Sequence, residues 1–352
     1  MIVIAAGGTG GHLYPAIALA QELKKIDPNS RVLLTGSLTP IDEEIYNSSG
    51  IPFVILPFSR PKISLLGLPK TLLMIFHSTI KALSLFKKEK IKVAVVCGGF
   101  ACIPIALASR LKKIPLILLE QNAIPGRTNR FLASKAHTIY IEFDESKKYF
   151  SNNNVIRAGN PIRENLKNIT NDLNNNTLVF MGGSLGASKI NQIASDIIPT
   201  LATLYPTYNI IHLTGKNDFI KIKDLYTNYT NIEVFEFLFD MKTVYTKATL
   251  IIGRSGATSI AELACIGIPA IFIPYPYAKD DHQKLNAMAL VKVGAGIMIE
   301  EDELNSEVLL SNIKYLLDNK ENLTNMRNSL LNWSTPDAGK VIAEKILNIT
   351  TQ

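Results

Sequence analysis

The sequence predicts an α/β protein of two Rossmann-like domains, each a parallel sheet with helices on both faces. Three observations predict it. Short strands rich in β-branched residues and leucine alternate with helical stretches along the chain. Midway, the polar, asparagine-rich run RENLKNITNDLNNNT breaks that alternation. Directly after it the pattern restarts as TLVFMGGSLGASKINQIA: strand, glycine-rich loop, helix. Residues 1–163 are therefore read as one domain and 164–335 as the second, joined by the polar run as a linker. The last helix, DAGKVIAEKILNI, follows Pro336 and is expected to pack back (336–352) on the first domain.

The strands of the first half read IVIAA, RVLLTG, FVILPF, VAVVCGG, PLILLE, HTIYIEF and VIRAG; those of the second read TLVFM, NIIHLTG, IEVFEF, LIIG, AIFIPYP and GIMIE. Unbroken apolar runs of this kind suit strands covered on both faces. In such sheets ligands lie beyond the carboxyl ends of the strands, so two facing domains would enclose one cleft.

Composition narrows the function classes. At 352 residues, 47% hydrophobic and 19% charged, the chain can fill two ordinary cores. Its formal net charge of +7 points to acidic partners: nucleic acid, anionic lipid or phosphorylated substrates. Nucleic acid is the least favoured of these, since no basic run is interleaved with aromatics and no familiar binding module is present. Cys97, Cys102 and Cys265 lack C-x-x-C spacing and read as buried, reduced thiols of a cytosolic chain. No signal peptide is expected, because the first residues already form a strand.

The opening MIVIAAGGTGGHLYPAIALA sets a Gly-rich turn between a strand and a helix start, where bare N–H groups and the positive helix end face an anion. It is not a dinucleotide fingerprint: Leu13 stands where the third glycine is needed after Gly8 and Gly10. RVLLTGS also ends with no acid for a ribose. That leaves His12, at the mouth of the helix, as the residue of interest. The second loop, MGGSLGASKIN, offers backbone N–H groups and the Ser184 hydroxyl to a phosphate. In LIIGRSGATSIAEL, Glu262 lies too close to a helix start to welcome phosphate, but a carboxylate accepts hydrogen bonds from both ribose hydroxyls. Gln283, in KDDHQKLNA, offers an amide to sugar hydroxyls. Asp280 and Asp281 are adjacent rather than spaced as ligands, so no metal is expected.

Further strand-tip loops add Glu120, Gln121, Asn122 and Asn129 from LLEQNAIPGRTNR, and Arg163 from AGNPIR. Arginine suits a diphosphate because it is permanently charged and bonds two oxygens. In LPKTLLMIFHSTIKALSLF only ten uncharged residues separate Lys70 from Lys81, too few for the roughly 20 of a membrane-spanning helix. Leu72, Phe76, Ile80 and Leu83 share one helical stripe, which is expected to face a core. Leu65, Leu66 and Leu68, with lysines at 62, 70, 81, 87, 88, 90 and 92, suit peripheral contact of about residues 62–92 with an anionic membrane.

Taken in order, GGTGGH, GGF, EQNAIPGRTN, GNPIR, GGSLGA, RSGATSIAEL and DDHQKLNA resemble the MurG family of peptidoglycan glycosyltransferases over essentially the whole chain. The resemblance implies a glycosyltransferase-B fold. It implies inverting, metal-independent and cofactor-free transfer of N-acetylglucosamine from UDP-GlcNAc to undecaprenyl-pyrophosphoryl-MurNAc-pentapeptide, lipid I to lipid II. It also implies peripheral attachment to the cytoplasmic face of the cell membrane. Carried over by motif, Thr9, Gly10, Gly11 and Asn122 lie near the transferred sugar, and Arg163 and Ser184 hold the diphosphate. Leu238 meets the uracil. Ala257, Thr258, Ser259, Ile260, Ala261 and Glu262 line the nucleotide, with Glu262 on the ribose, and Gln283 reads the GlcNAc hydroxyls.

Leu119 stands before EQN where many members carry histidine, and Phe100 replaces a frequent tyrosine, departures that count against catalysis at those two positions. The attacking hydroxyl needs a base. His12 is the first candidate, because a neutral imidazole accepts a proton near pH 7, and Glu120 is the second. The residues leave open another UDP-sugar enzyme of the same fold, a UDP-GlcNAc epimerase or a lipid glycosyltransferase.

Overall fold

The computed structural model describes residues 1–7, 10–37, 40–58, 68–151, 154–183, 186–238 and 240–351. The chain splits into two compact units, Met1–Glu164 with Thr335–Gln352, and Asn165–Ser334.

The first unit is built on seven strands: β1 (Ile2–Ala5), β2 (Val32–Gly36), β3 (Phe53–Ile55), β4 (Val93–Val96), β5 (Leu116–Glu120), β6 (Thr138–Ile141) and β7 (Val155–Arg157). They pair in parallel in the order β3-β2-β1-β4-β5-β6-β7. β1 lies inside the sheet between β2 and β4, and all four of its residues are buried, which is why its sequence has no polar alternation. Its helices are α1 (Gly10–Ile26), α2 (Pro40–Ser48), α3 (Leu68–Glu89), α4 (Cys102–Lys112) and α5 (Arg127–Leu132).

A short helix, α6 (Glu164–Lys167), leads into the second unit. There β8 (Thr177–Met181), β9 (Asn209–Leu213), β10 (Ile232–Phe235), β11 (Leu250–Gly253), β12 (Ala270–Phe272) and β13 (Ile297–Met298) form a parallel sheet of order β10-β9-β8-β11-β12-β13. Around it lie α7 (Ser188–Leu204), α8 (Phe219–Leu225), α9 (Lys242–Lys247), α10 (Ala257–Ile266), α11 (His282–Val291), α12 (Ser306–Leu317) and α13 (Lys320–Trp333). Both sheets reverse their strand order beside their first strand, between β1 and β4 and between β8 and β11. In each sheet taken by itself, the loops that leave those two strands at their carboxyl ends border the kind of crevice in which open α/β sheets bind ligands.

The last helix, α14 (Ala338–Thr351), belongs to the first unit. Its Ile342, Ala343 and Ile346 sit fully buried in one cluster with Leu13, Leu19 and Leu23 of α1. Each isoleucine so buried contributes roughly 1.5–3 kcal/mol. Helix geometry starts two residues after Pro336.

Three expectations change. The polar run is docked: Leu166 is fully buried, and buried Asn171 donates to Tyr245 O (2.8 Å) and Ala248 O (2.7 Å). An asparagine-rich stretch reads as a linker by composition, but here an amide satisfies two carbonyls at the C-terminal end of the helix Lys242–Lys247. The stripe on α3 is the second change. Leu72, Phe76 and Ile80 are 58%, 64% and 49% exposed, while Ser78, Thr79, Ala82 and Phe86 form the buried face. Small residues at 78, 79 and 82 let that helix pack closely on α4, with Phe86 and, from the stripe, Leu83 turned toward the core, so Leu72, Phe76 and Ile80 point outward. Third, Cys97 and Cys102 are buried but Cys265 is only half-buried. Among the described residues, no helix is long and apolar enough to cross a membrane.

Candidate active site

In the first unit the loops after β1, β4 and β5 converge. Gly99 has φ +84°, and a Cβ there would stand 2.3 Å from Gly7 O, so the GGF turn lies directly on the GGTGGH turn. Gly98 has φ +114°, and its Cβ would meet the His12 ring at 2.8 Å. Any side chain at either position would push the two turns apart.

His12 lies in the first turn of α1, half-buried, and its Nδ1 is 3.0 Å from Gln121 Oε1. Gln121 is buried and its Nε2 donates to Leu119 O, so its oxygen faces the imidazole and must accept. His12 Nδ1 is thereby the N–H donor, and Nε2 is the nitrogen with the basic lone pair. An imidazole whose tautomer is set in this way by a neighbour can accept a proton at Nε2.

Glu120 is placed differently from expectation. Its carboxylate is buried and accepts from Asn122 N (3.0 Å), Asn122 Nδ2 (3.4 Å), Gly126 N (3.0 Å) and Asn129 Nδ2 (2.8 Å). Burial pushes its carboxyl up from the ordinary range, against the pull of those donors. It ties the EQNAIPG loop together rather than facing a substrate. Asn129 is also buried, and donates as well to Leu119 O at 2.9 Å, so it too supports the loop. Asn122 is half-buried at the loop's edge. Gly10 and Gly11 open α1; Thr9 lies outside the described residues.

Arg163 ends the first unit, its guanidinium 4.8 Å from the centre of the Tyr14 ring on α1. Stacking on an aromatic face holds the cation beside the helix that starts at the first Gly-rich turn. Nothing in GNPIR announces Tyr14 as its partner; the pairing is purely tertiary.

In the second unit, α10 starts after Gly256 and carries Thr258 and Ser259 half-buried, and Ala257, Ile260, Ala261 and Glu262 buried. Tyr245 OH donates to Glu262 Oε2 at 3.2 Å. Gln283, at the start of α11, accepts from Tyr275 N through Oε1 (3.0 Å), which leaves its Nε2 as the donor group. Its backbone oxygen accepts from Ser255 Oγ at 2.9 Å. Leu238 is half-buried after β10. Ser184 lies outside the described residues; the flanking Gly182, Gly183, Gly186 and Ala187 lead from β8 into α7.

Arg254 was not singled out by sequence reasoning. It donates to Ile273 O (3.1 Å) and Pro274 O (3.0 Å), pairs with Glu301, and lies 5.3 Å from the Tyr275 ring centre. It fixes the loop whose Tyr275 N holds Gln283. The RSG tripeptide at a strand tip was the available signal. Among the described residues, no three His, Cys, Asp or Glu side chains group as a metal site.

The glycosyltransferase family 28 N-terminal domain matches residues 2–141 and the family 28 C-terminal domain matches residues 177–341. A protein of Myxococcus xanthus named UDP-N-acetylglucosamine–N-acetylmuramyl-(pentapeptide) pyrophosphoryl-undecaprenol N-acetylglucosamine transferase is 34% identical over all of this chain and 93% of its own. One of the same name from Bacillus pumilus is 34% identical over 99% of both chains. The chain belongs to the MurG family. The crystal structure of Acinetobacter baumannii MurG superposes with TM-score 0.79 at 27% identity, covering 99% of each chain. A UDP-GlcNAc 2-epimerase from Neisseria meningitidis superposes at 0.69 with 17% identity over 99% of this chain and 100% of its own, a likeness of fold alone. The family thus accounts for the two Rossmann-like units of the glycosyltransferase-B fold.

Proposed function

We propose that this chain is the N-acetylglucosaminyltransferase that converts lipid I to lipid II: it transfers GlcNAc from UDP-GlcNAc to the MurNAc 4-hydroxyl of undecaprenyl-pyrophosphoryl-MurNAc-pentapeptide. The observation that carries the reading is identity of 34% over the full chain with transferases of that name.

The first unit takes the acceptor and the second takes the donor. His12 Nε2 removes the proton from the attacking hydroxyl as the oxygen reaches the anomeric carbon, with inversion, and UDP leaves. Gln121 keeps the lone pair on Nε2. Thr9, Gly10, Gly11 and Asn122 border the sugar. Arg163, Ser184 and the second Gly-rich turn take the negative charge that grows on UDP, a service that oriented donors supply without a metal. Glu262 holds the ribose hydroxyls, Leu238 the uracil, residues 257–261 the nucleotide, and Gln283 the GlcNAc hydroxyls. Glu120 and Asn129 hold the loop that carries Gln121 and Asn122.

The acceptor's lipid tail stays in a bilayer, so the enzyme works at the membrane surface. The exposed Leu72, Leu73, Phe76 and Ile80 of α3 provide an apolar face for it, with lysines 70, 81, 87 and 88 on the same helix and Lys90 and Lys92 after it. Apolar burial and attraction of roughly 1 kcal/mol per lysine together give reversible attachment to the cytoplasmic leaflet. Lys62, Leu65 and Leu66 lie outside the described residues.

Incubation with radiolabelled UDP-GlcNAc and a lipid I analogue tests the reading. Labelled disaccharide-lipid is the expected product. Turnover of UDP-GlcNAc without acceptor, and no disaccharide, would instead indicate an epimerase.

A further inference from the structure

His212 lies at the end of β9, fully buried, and takes no part in the chemistry above. Its Nε2 is 3.1 Å from Oδ1 of Asn191, a buried residue in the first turn of α7. Asn191 Nδ2 donates to Thr214 O at 2.7 Å and to Asp218 Oδ2 at 2.8 Å. With both amide hydrogens directed at acceptors, Asn191 Oδ1 must be the acceptor toward the ring. His212 therefore carries its hydrogen on Nε2 and donates. Nδ1 is buried without a hydrogen-bond partner among the described residues, and Phe180 and Tyr226 lie against the ring, at 5.9 and 6.2 Å between centres. This imidazole is a fixed, neutral donor; burial pushes its pKa down to about 4.

What the donor holds is the back of the second Gly-rich turn. Thr214 O, the carbonyl that Asn191 grips, lies 2.4 Å from where a Cβ on Gly186 would stand, and Gly186 has φ +80°. Asn191 N also donates to Ala187 O at 2.8 Å. The chain His212–Asn191–Thr214 O thus runs from the strand interior to the carboxyl end of β9, against which Gly186 is packed.

We infer that His212 is a positioning residue for the donor's diphosphate: through Asn191 it sets the spacing between the tip of β9 and Gly186 of the second Gly-rich turn, and so where that turn is held. The inference rests on the reading of this turn as the diphosphate cradle. A misplaced turn should weaken binding of the diphosphate while leaving contacts to the nucleoside intact, because Glu262 and residues 257–261 stand on a different strand–helix junction.

The test is calorimetric titration of the full chain with UDP and, separately, with uridine. His212→Gln keeps an amide donor where Nε2 stands; His212→Asn puts its amide near Nδ1 and removes the donor. His212→Asn is expected to weaken UDP about fivefold, the factor carried by one ordinary hydrogen bond, with uridine unchanged and with His212→Gln close to the unmodified chain. Asp218→Ala, at a half-buried position, loosens Asn191 from its other end and is expected to weaken UDP about two- to threefold; it serves if His212→Asn does not fold. A UDP-to-uridine ratio unchanged in the folded variants, or equal losses for both ligands, overturns the role of His212. If the unmodified chain binds UDP no better than uridine, the cradle reading fails and takes this inference with it.

Discussion

His12 and Gln121, 109 positions apart, meet at 3.0 Å through Nδ1 and Oε1, and this contact decides which imidazole nitrogen is basic. His12→Ala should lower kcat by about 10²–10⁴-fold, the usual worth of a placed base, with little change in donor affinity. Gln121→Leu, which leaves the ring but not its orienting oxygen, should give a smaller loss of kcat. Steady-state kinetics with UDP-GlcNAc and a soluble acceptor would check both. Undiminished kcat in His12→Ala would remove His12 as the base.

Glu120 should behave as a structural carboxylate. Glu120→Ala strands four donors and should cost on the order of 3 kcal/mol or more, because each buried group left unpaired costs about 1–3 kcal/mol. Thermal unfolding should show a lowered Tm for this variant but not for His12→Ala. Loss of kcat at unchanged Tm would return Glu120 to the base candidates.

Glu262→Ala should act mainly on KM for UDP-GlcNAc, since ribose hydroxyls are held alike in ground and transition states. Tyr245→Phe, which removes the 3.2 Å bond to Glu262, should raise KM less. An effect confined to kcat would contradict the ribose assignment.

The α3 face should govern membrane contact. Leu73→Ser with Phe76→Ser should weaken sedimentation with anionic liposomes, most clearly at high salt, and leave activity on a short-chain soluble acceptor intact. Both side chains are exposed, at 68% and 64%, so Tm should hold. Liposome binding equal to that of the unmodified chain would exclude this face.

Two buried groups shape stability against pH in opposite directions. His212 is pushed down to about 4, so as pH falls below 6.5 the unfolded chain takes up the proton first and stability is lost progressively down to about 4. Glu142 is pushed up to about 7 by burial, with Arg157 and Asn160 N pulling the other way. As pH rises past 4.5 the unfolded chain releases that proton first, and stability is lost up to about 7. Each effect is on the order of 3 kcal/mol. Urea unfolding should show that Glu142→Gln gains stability at pH 8 but not at pH 4, and that His212→Gln flattens the acid limb.

By itself the sequence determined the alternation of strands and helices, the two Gly-rich restarts and the strand tips on which chemistry could stand. Those features are local: an apolar run, a glycine pair and a helix period are each complete within about 20 residues. It also brought Glu262 and Gln283 into view, because each stands on a helix that follows a strand tip. Only the tertiary structure decided the rest. The tautomer of His12, the stacking of Arg163 on Tyr14 and the clamp from His212 to Asn191 join residues far apart in the chain. The outward face of α3 and the burial of Glu120 depend on what packs opposite them. A helical stripe states its period but not its partner, and a carboxylate states its charge but not its donors, so packing had to decide both.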